Sequence, residues 1–477
     1  MPRRESSTRF AHPLVNKYLQ KYAESGAIDT AYRLQQLLPE KRWRYGVLIP
    51  ICGESVDVPE RVFADCFSET EKGLRHDVLV VICLNRPDEH PRADMLEKQN
   101  RHWLRAQKTQ SVHAVTLSSA ACWLAFANRP DMLVVIRNEA NNPQAAPLPR
   151  RQAVGLARKL AADTLLALIQ ARVIEEPWLF STDADARLPQ GYFQVLNTLS
   201  PAVAASLSFC HEANIQSKTQ AGEQGQKLIQ AQKYYTLRLH LYRKGLEQIN
   251  PRYAWIPLGS TLVIAANAYA MVRGFPKRAA GEDFYLLNKL SKIGNVVTEE
   301  KRGGNDIREA TWPCIQLQTR DSDRVPFGTG PAVRAIAAME HPEETYGFYH
   351  PDIFPTLSLW RTRMRQWLAS KQYSRSPSLP DDVLTGKLHG LNAALCSALP
   401  VKQFVTRLHA QNIAATQRLR QFDEWLDAFR LLKAVHAAES LFPRLSLKQL
   451  AENDCFTRCF LTDKNVAAAF HDLWPIA

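Results

Sequence analysis

Residues Asp77–Leu84 read DVLVVICL, an apolar run rich in β-branched side chains and followed closely by an Arg-Pro pair. Runs of four to eight such residues, bounded by turn signals, are typical of strands that are buried on both faces of a parallel sheet. Tyr45–Pro50 (YGVLIP), Met132–Ile136 (MLVVI) and Trp178–Ser181 (WLFS) have the same character. The sequence therefore predicts four buried strands of one sheet.

A strongly amphipathic segment separates the last two of these strands. Arg150–Arg172 carries apolar residues at positions 154, 156, 160, 161, 165, 168 and 169, which is helical spacing. Strands that alternate with helices predict a doubly wound α/β domain. Ligands of such domains bind in the crevice at the carboxyl ends of the strands.

The two flanks of this α/β region are predicted to be helical. Residues 13–38 carry helical spacing interrupted near Ser25–Gly26, which fits two short helices. After about residue 335 the strand pattern disappears, and helices are predicted over Thr356–Trp367, Leu379–Leu399, Val401–Ala437 and Leu447–Phe470. We therefore expect a helical segment at 1–43, a main α/β domain at 44–335 and an α-helical carboxyl-terminal region at 336–477.

The composition excludes several classes of protein. With 477 residues and 45% hydrophobic content, the chain can bury a large core and is not of disordered or collagen-like composition. Apolar windows such as Leu165–Ile169 and Leu262–Ala266 are much shorter than the roughly 20 residues of a membrane-spanning helix. Nine cysteines without a secretory signal lead us to expect reduced thiols and a cytoplasmic protein.

The formal net charge of +13 is concentrated near the start of the chain, where residues 1–45 hold nine Lys/Arg against four Asp/Glu. This surplus fits a solvated helical face, or contact with an anionic acceptor or with the inner face of a membrane as a peripheral protein. No basic–aromatic interleaving suggests a nucleic-acid platform, so we expect no nucleic-acid partner.

Two acids follow the strand at Trp178–Ser181, in the order Thr182-Asp183-Ala184-Asp185. In extended chain, residues i and i+2 project to the same side, so Asp183 and Asp185 could enter the crevice together. Two carboxylates on one side suit Mg²⁺ or Mn²⁺, although Asp pairs also form turns and helix caps.

A second acidic pair, Glu282-Asp283, follows a Gly274-Phe275-Pro276 turn and opens an amphipathic stretch. Acids at the start of a helix are favoured by the helix dipole, so capping alone would explain them. A carboxylate in this place could instead accept the proton of an acceptor hydroxyl.

In this order, the motifs resemble those of GT-A glycosyltransferases, specifically the large inverting family 2. The matching elements are the strand that ends in Pro50 and Glu54, a Gly-x-Ala-Arg element at Gly155–Arg158, the Asp-x-Asp motif at Asp183, an aliphatic strand at Gly259–Ala265, the Gly-Phe turn and the Glu282-Asp283 pair. The resemblance covers roughly residues 44–300. It implies a GT-A type mixed sheet and transfer of a sugar from a nucleotide-sugar donor.

The resemblance also implies roles for the acids. Asp185, with Asp183, would hold Mg²⁺ or Mn²⁺ against the donor diphosphate. Asp283 would be the base that deprotonates the acceptor hydroxyl, and Glu282 would orient the acceptor or the base. The membrane helices and the Gln-x-x-Arg-Trp signature of processive synthases are not found in the sequence, so we expect the addition of one or a few sugars.

Donor binding is assigned on the same resemblance to Pro50, Glu54, Asn85, Arg158 and Asp183, and on the chemistry of its own segment to Arg324. The chain departs from the family pattern in four ways. Cys52-Gly53 replaces an aromatic–Asn pair, and Asn85, or a displaced Asp88, stands where the family has an Asp. Lys159 replaces an Asn, and the element at Gly155–Arg158 is one residue shorter than the family's Gly-x-x-Ala-Arg. Arg324 belongs to a glycine-flanked segment that could close over the diphosphate or form a surface turn. Trp255 and His211 are candidate acceptor contacts.

The acceptor is predicted to be a glycan, a lipid-linked group or another hydroxyl compound. Two other functions remain open at this level. A nucleotidyltransferase shares the α/β plan and the paired acids, and a binding protein could keep the fold after losing donor recognition. Cys52-Gly53 and Asn85 are the residues that favour the second alternative.

Overall fold

The structure is a computed structural model, and it describes residues 12–67, 69–212, 222–298, 314–319, 328–370, 373 and 387–474. Within these ranges it is a mixed α/β protein, as the sequence predicts. Of the helices in these ranges, none combines the length and the apolar character that crossing a bilayer requires.

The larger of two sheets has nine strands in the described residues. Their order across the sheet is β11-β8-β10-β6-β1-β2-β5-β4-β3. Strands β6, β1, β2 and β5 are mutually parallel, β10 is antiparallel to both β6 and β8, and β3–β4–β5 form an antiparallel meander. The strands are β1 (Tyr45–Ile51), β2 (Val78–Asn85), β3 (His113–Ser118), β4 (Ala121–Ala125), β5 (Asp131–Arg137), β6 (Trp178–Ser181), β8 (Ala204–Ser206), β10 (Leu262–Ala265) and β11 (Val296–Val297).

The four predicted strands are the parallel core of this sheet, in the spatial order β6-β1-β2-β5. Every residue of β2 is buried, which explains its almost unbroken apolar sequence. The predicted helix is observed at Ala153–Gln170 and packs on β1 and β2, but it is not amphipathic, because every residue from 155 to 169 is buried. At Gly46 an added Cβ atom would lie 2.1 Å from Leu165 Cδ1, so a larger residue here would require the Leu165 side chain to shift.

The smaller sheet has the order β7-β12-β9, with β7 (Ala186–Arg187), β9 (Phe209–Glu212) and β12 (Ile315–Gln318). Strand β12 is antiparallel to β7 and parallel to β9. Leu317 in its middle pairs with Ala186 on one side and His211 on the other. His211 and Ala186, the residue after Asp185, are therefore two strands apart in this sheet. At normal strand spacing their backbones are about 10 Å apart.

The described helices are α1 (Pro13–Lys21), α2 (Ala27–Leu37), α3 (Val58–Val62), α4 (Ala93–Gln110), α5 (Ala153–Gln170), α6 (Gly222–Ile249), α7 (Ala266–Met271), α8 (Glu282–Ile293), α9 (Thr329–Ala337), α10 (Pro342–Thr345), α11 (Ile353–Ala369), α12 (Lys387–Ala398), α13 (Val401–Ala410), α14 (Ala415–Trp425), α15 (Ala428–Ala438), α16 (Leu447–Ala451), α17 (Asp454–Cys459) and α18 (Lys464–His471). Short 3₁₀ segments connect several of them.

The chain forms two compact units. The first comprises Met1–Asn214 and Pro257–Gly328, and the second comprises Ile215–Ile256 and Thr329–Ala477. The predicted boundaries, 1–43, 44–335 and 336–477, are continuous in sequence and divide the chain differently. In the structure α1 and α2 pack on α5 of the first unit, and α6 packs with α9, α11 and α18 of the second.

The second unit is helical, as predicted for 336–477, but two of the predicted helices are each divided into three. The predicted helix Val401–Ala437 breaks where Asn412 adopts a left-handed φ of 45°, and again where Asp427 caps α15 by accepting from Arg430 N at 3.2 Å. The predicted helix Leu447–Phe470 is α16, α17 and α18, where Asn453 and Asp463 are the caps. Of the predicted helix Leu379–Leu399, residues 379–386 lie outside the described residues.

Candidate active site

The carboxyl ends of β6, β1, β2 and β5 lie at one edge of the large sheet because these strands are parallel neighbours. Asn100 of α4 ties three of these ends together. Its Oδ1 accepts from Gly53 N at 2.8 Å, and its Nδ2 donates to Asn85 O at 2.8 Å and to Asn138 Oδ1 at 2.9 Å. Asn100 is fully buried, so this edge is held by a side chain with all of its polar atoms in use.

Arg158 lies beside this edge, near the start of α5, and it is buried. Its Nε donates to Glu282 Oε1 at 2.8 Å, and one terminal nitrogen donates to Asp183 Oδ1 at 2.6 Å. The other terminal nitrogen donates to Ser181 Oγ at 3.1 Å and to the carbonyl of Gly259 at 3.2 Å. One guanidinium therefore joins the end of β6, the residues before β10 and the start of α8.

The two acidic motifs of the sequence meet at Arg158. Asp183 and Glu282 are far apart in the chain, yet both contact the same guanidinium. Glu282 is almost fully buried, whereas Asp183 keeps about a quarter of its side chain exposed. Asp283 is half-buried beside them, and its Oδ1 accepts from Phe284 N at 2.7 Å. The structure thus brings the Asp-x-Asp motif and the Glu-Asp pair into one cluster.

Close backbone packing fixes the loop that precedes Glu282. Gly155 N donates to Arg278 O at 2.9 Å, and a Cβ at Gly155 would lie 2.5 Å from the carbonyl oxygens of Pro276 and Arg278. Gly281 adopts a left-handed φ of 71° immediately before α8, a conformation that glycine takes without strain. The glycine of the Gly-x-Ala-Arg element therefore sets the distance between α5 and the acids at the start of α8.

The cluster has more negative than positive charge. Burial raises the pKa of Asp283 to about 8, and the neighbouring Glu282 adds to the rise. Burial also raises the pKa of Asp183; Arg158 opposes this rise, while Asp185 and Glu282 add to it. Burial disfavours the charge of Arg158, but the carboxylates of Asp183 and Glu282 outweigh it and raise the pKa of the guanidinium. Four carboxyl groups and one guanidinium leave a formal charge of −3 when all are ionised.

A divalent cation would neutralise part of this negative charge. The residues present fit an ion that takes only one or two of its ligands from the protein. No group of three or more His, Cys, Asp or Glu side chains is arranged as a metal site in the described residues. Mg²⁺ is usually bound through one or two carboxylates together with substrate phosphates, so a pair of acids is a sufficient protein contribution. Asp183 and Asp185, each partly exposed, are such a pair.

Asp185 is placed by the small sheet. Its carbonyl accepts from Gln318 N at 3.0 Å, next to the pairing of β7 with β12. The same sheet brings His211 to the neighbourhood of Asp185, and the His211 ring packs edge-on against Phe209 at 5.3 Å. The strand pairing therefore places the backbone of His211 about 10 Å from the backbone next to Asp185.

A surface pocket of about 230 Å³ opens at the carboxyl ends of β1 and β2. Its lining includes both apolar and polar side chains. The lining residues are Cys52, Gly53, Pro87, His90, Arg92, Met95, Leu96 and Gln99.

The remaining candidate residues are distributed as follows. Pro50 is the penultimate residue of β1, and Glu54, half-buried, lies just beyond the strand. Asn85 is 5% exposed, and its Nδ2 donates to Ile51 O and Cys83 O at 3.0 Å each, so its amide group also has a structural role.

Trp255 is 2% exposed and belongs to the second unit, so its ring is not accessible for stacking on a sugar. Arg324 lies outside the described residues.

Several residues of the site were not found by sequence reasoning. They are Ser181, the carbonyl of Gly259, Asn100 and the pocket residues His90, Arg92 and Gln99. One signal in the sequence does point to Arg158: it lies with Lys159 and Asp163 in a helix whose other residues from 155 to 169 are uncharged and buried. Buried charges need partners, so such a helix predicts acids nearby.

Comparison of the sequence with protein-family models and with curated proteins finds no match.

Proposed function

We propose that this protein is an inverting glycosyltransferase of the GT-A type, similar to family 2, that transfers a sugar from a nucleotide-sugar donor to an acceptor hydroxyl. The observation that carries the proposal is the convergence of Asp183 and Glu282-Asp283 on Arg158, at the carboxyl edge of a parallel sheet. The antiparallel β10 and the small second sheet also agree with the mixed sheet that the motifs imply.

Asp283 is the base in this proposal. It accepts the proton of the acceptor hydroxyl while the hydroxyl oxygen attacks the anomeric carbon. The bond from that carbon to the diphosphate breaks, its electron pair leaves with the nucleoside diphosphate, and attack from the opposite side inverts the anomeric centre. A base whose pKa is about 8 binds a proton readily, which suits this step.

Glu282 and Arg158 hold this base in place. Glu282 is buried and hydrogen-bonded to Arg158, so we assign it a positioning role rather than contact with the acceptor. Arg158 fixes Asp183 at the same time, because it donates to both acids. The distance between the two acidic motifs therefore depends on one side chain.

Asp183 and Asp185 would hold Mg²⁺ or Mn²⁺ in this proposal. When bound, the ion neutralises the negative charge that develops on the leaving diphosphate. Burial and the neighbouring carboxylates raise the pKa of Asp183 and Asp283, and a bound cation would oppose this rise, which supports the assignment.

The nucleoside part of the donor is placed in the pocket at the ends of β1 and β2. That pocket lies on the same sheet edge as Asp183, because β1 is the parallel neighbour of β6. Pro50, Glu54 and Asn85 lie at the ends of β1 and β2 and stay donor-binding residues in this proposal. A glycan, a lipid-linked group or another hydroxyl compound would approach from the side of His211. The cytoplasmic location also stays a prediction.

The test is an assay of donor consumption with UDP-, GDP- and TDP-sugars, with and without Mn²⁺ and Mg²⁺. Release of a nucleoside diphosphate by the wild-type protein and its loss in Asp283→Asn would support the proposal. Asp29→Asn is a matched control, because it removes one exposed carboxylate from α2. Release of pyrophosphate would indicate nucleotidyl transfer, and binding of the donor without turnover in the presence of acceptors would indicate a binding protein.

A further inference from the structure

Three helices of the first unit end next to one another on its surface. The ends are those of α1, α7 and α8, near residues 22, 272 and 293. Arg273 stacks on the ring of Tyr22 at 4.7 Å, which joins the ends of α1 and α7. Lys289 Nζ donates to Val272 O at 3.0 Å, which joins α8 to the end of α7.

This surface, which we call the basic face, is strongly cationic. Residues 12–24 and 266–294 together contain seven Lys/Arg and three Asp/Glu, of which Glu282 and Asp283 lie at the opposite end of α8 from Ile293. The neighbouring acid Glu24 is paired with Lys277 at 2.7 Å. Burial, and then the nearby cations Lys159 and Arg273, lower the pKa of Lys289.

Each of the three helix ends also exposes a large apolar side chain. Tyr22 is 40% exposed, Met271 51% and Ile293 39%. The transfer of such side chains from water to an apolar environment is favourable. A purely polyanionic partner such as RNA would not offer them that environment. A lipid bilayer offers both an anionic surface and an apolar layer beneath it.

We propose that the basic face binds the surface of an anionic lipid bilayer, with Tyr22, Met271 and Ile293 at the level of the headgroups and the lysines and arginines on the lipid phosphates. The proposal rests on the described contacts of this face and is independent of the proposed sugar transfer. It locates a membrane contact on three helix ends that are distant in the sequence.

The experiment is co-sedimentation of the full chain with phosphatidylcholine vesicles that contain or lack phosphatidylglycerol, at low and high salt. We expect binding only to the anionic vesicles, weakened by salt because charge contributes to it. The variant Lys21→Gln/Lys292→Gln should bind about 25-fold more weakly, because each basic residue near an anionic surface contributes roughly fivefold. Arg105→Gln/Lys108→Gln, on the exposed side of α4, removes the same charge and should bind like wild type.

A second pair of variants tests the apolar contribution. Met271→Ser/Ile293→Ser should weaken vesicle binding severalfold and leave retention on heparin unchanged, because heparin offers charge alone. The proposal would be overturned if the protein did not bind anionic vesicles, or if it bound neutral vesicles equally well. It would also be overturned if the two charge variants lost vesicle binding to the same extent. So would binding to heparin without binding to vesicles, which would indicate a polyanionic partner instead. The wild-type protein and the three double variants should have the same thermal unfolding midpoint.

Discussion

Replacing Arg158 by Met should strongly destabilise the first unit. Arg158 is buried and forms ion pairs at 2.6 Å and 2.8 Å with Asp183 and Glu282, in addition to hydrogen bonds to Ser181 and Gly259. Methionine fills a similar volume but leaves both carboxylates without their cation. Removal of one partner from a buried pair costs roughly 3–5 kcal/mol, and we expect a loss in this range.

The destabilisation should come from the carboxylates that remain, and two changes test this. Adding Asp183→Asn and Glu282→Gln to Arg158→Met should restore most of the free energy of unfolding. Lower pH should have a similar effect, because burial raises the pKa of Asp183 above its ordinary value and its charge is lost as the pH falls. The loss caused by Arg158→Met should therefore be larger at alkaline than at mildly acidic pH.

Native-state hydrogen exchange of peptides from β1 and α5 measures the stability of the first unit separately from the second. Arg33→Met is the control: it removes an exposed arginine that is paired with Asp29 on α2, and it should leave exchange of these peptides unchanged. A loss below about 1 kcal/mol for Arg158→Met, or no recovery in the triple variant, would refute the reasoning that Arg158 neutralises this cluster.

Three further predictions concern the same cluster. Asp185→Ala should weaken nucleotide binding at least about tenfold with Mn²⁺ and leave metal-free binding unchanged; equal affinities with Mn²⁺ would exclude a metal role for this residue. Because Asp283 must be ionised to act as a base, kcat/KM should rise with pH up to about 8. Glu282→Gln should move this rise to lower pH, because the Glu282 carboxylate raises the pKa of Asp283. A kcat/KM that does not change with pH would contradict the base assignment. Gly155→Ala places a Cβ 2.5 Å from Arg278 O, so it should cost roughly 1–3 kcal/mol in urea unfolding and lower kcat, and wild-type values for both would show that the loop can move.

The central strands could be predicted because each of them is buried and is therefore mostly apolar. β1, β2, β5 and β6 are buried almost throughout, and each is a short apolar run. β3 lies at the edge of the sheet with most of its side chains partly or fully exposed, so its sequence, HAVTLS, lacks such a run. β8 and β11 have three and two residues, which is too short for any periodic signal.

The long helix α6 was not predicted, and it buries three polar or charged side chains as well as apolar ones. Gln232, His240 and Arg243 are buried in it, and Arg243 forms an ion pair with Asp463 of α18. Most of the other buried residues of α6 are apolar or aromatic. Its assignment to the second unit depends on contacts with residues about 100 or more positions later in the chain, which no local pattern shows.

The acids of the site could be found in the sequence, but their arrangement could not. Asp183, Asp185, Glu282 and Asp283 follow strand and turn signals that are visible locally. That Asp183 and Glu282 share one guanidinium depends on the packing of α5 against the start of α8, through Gly155. Likewise, the burial of Trp255, which is 2% exposed, could not be predicted from the surrounding sequence.

The most direct test of sugar transfer at this cluster is to measure turnover and donor affinity together in Asp283→Asn. The substitution keeps the size of the side chain and removes its ability to accept a proton. We predict that kcat falls at least about 100-fold while the dissociation constant of the donor changes by less than about threefold. Retained turnover, or a loss of donor affinity as large as the loss of kcat, would contradict the assignment of Asp283 as the base.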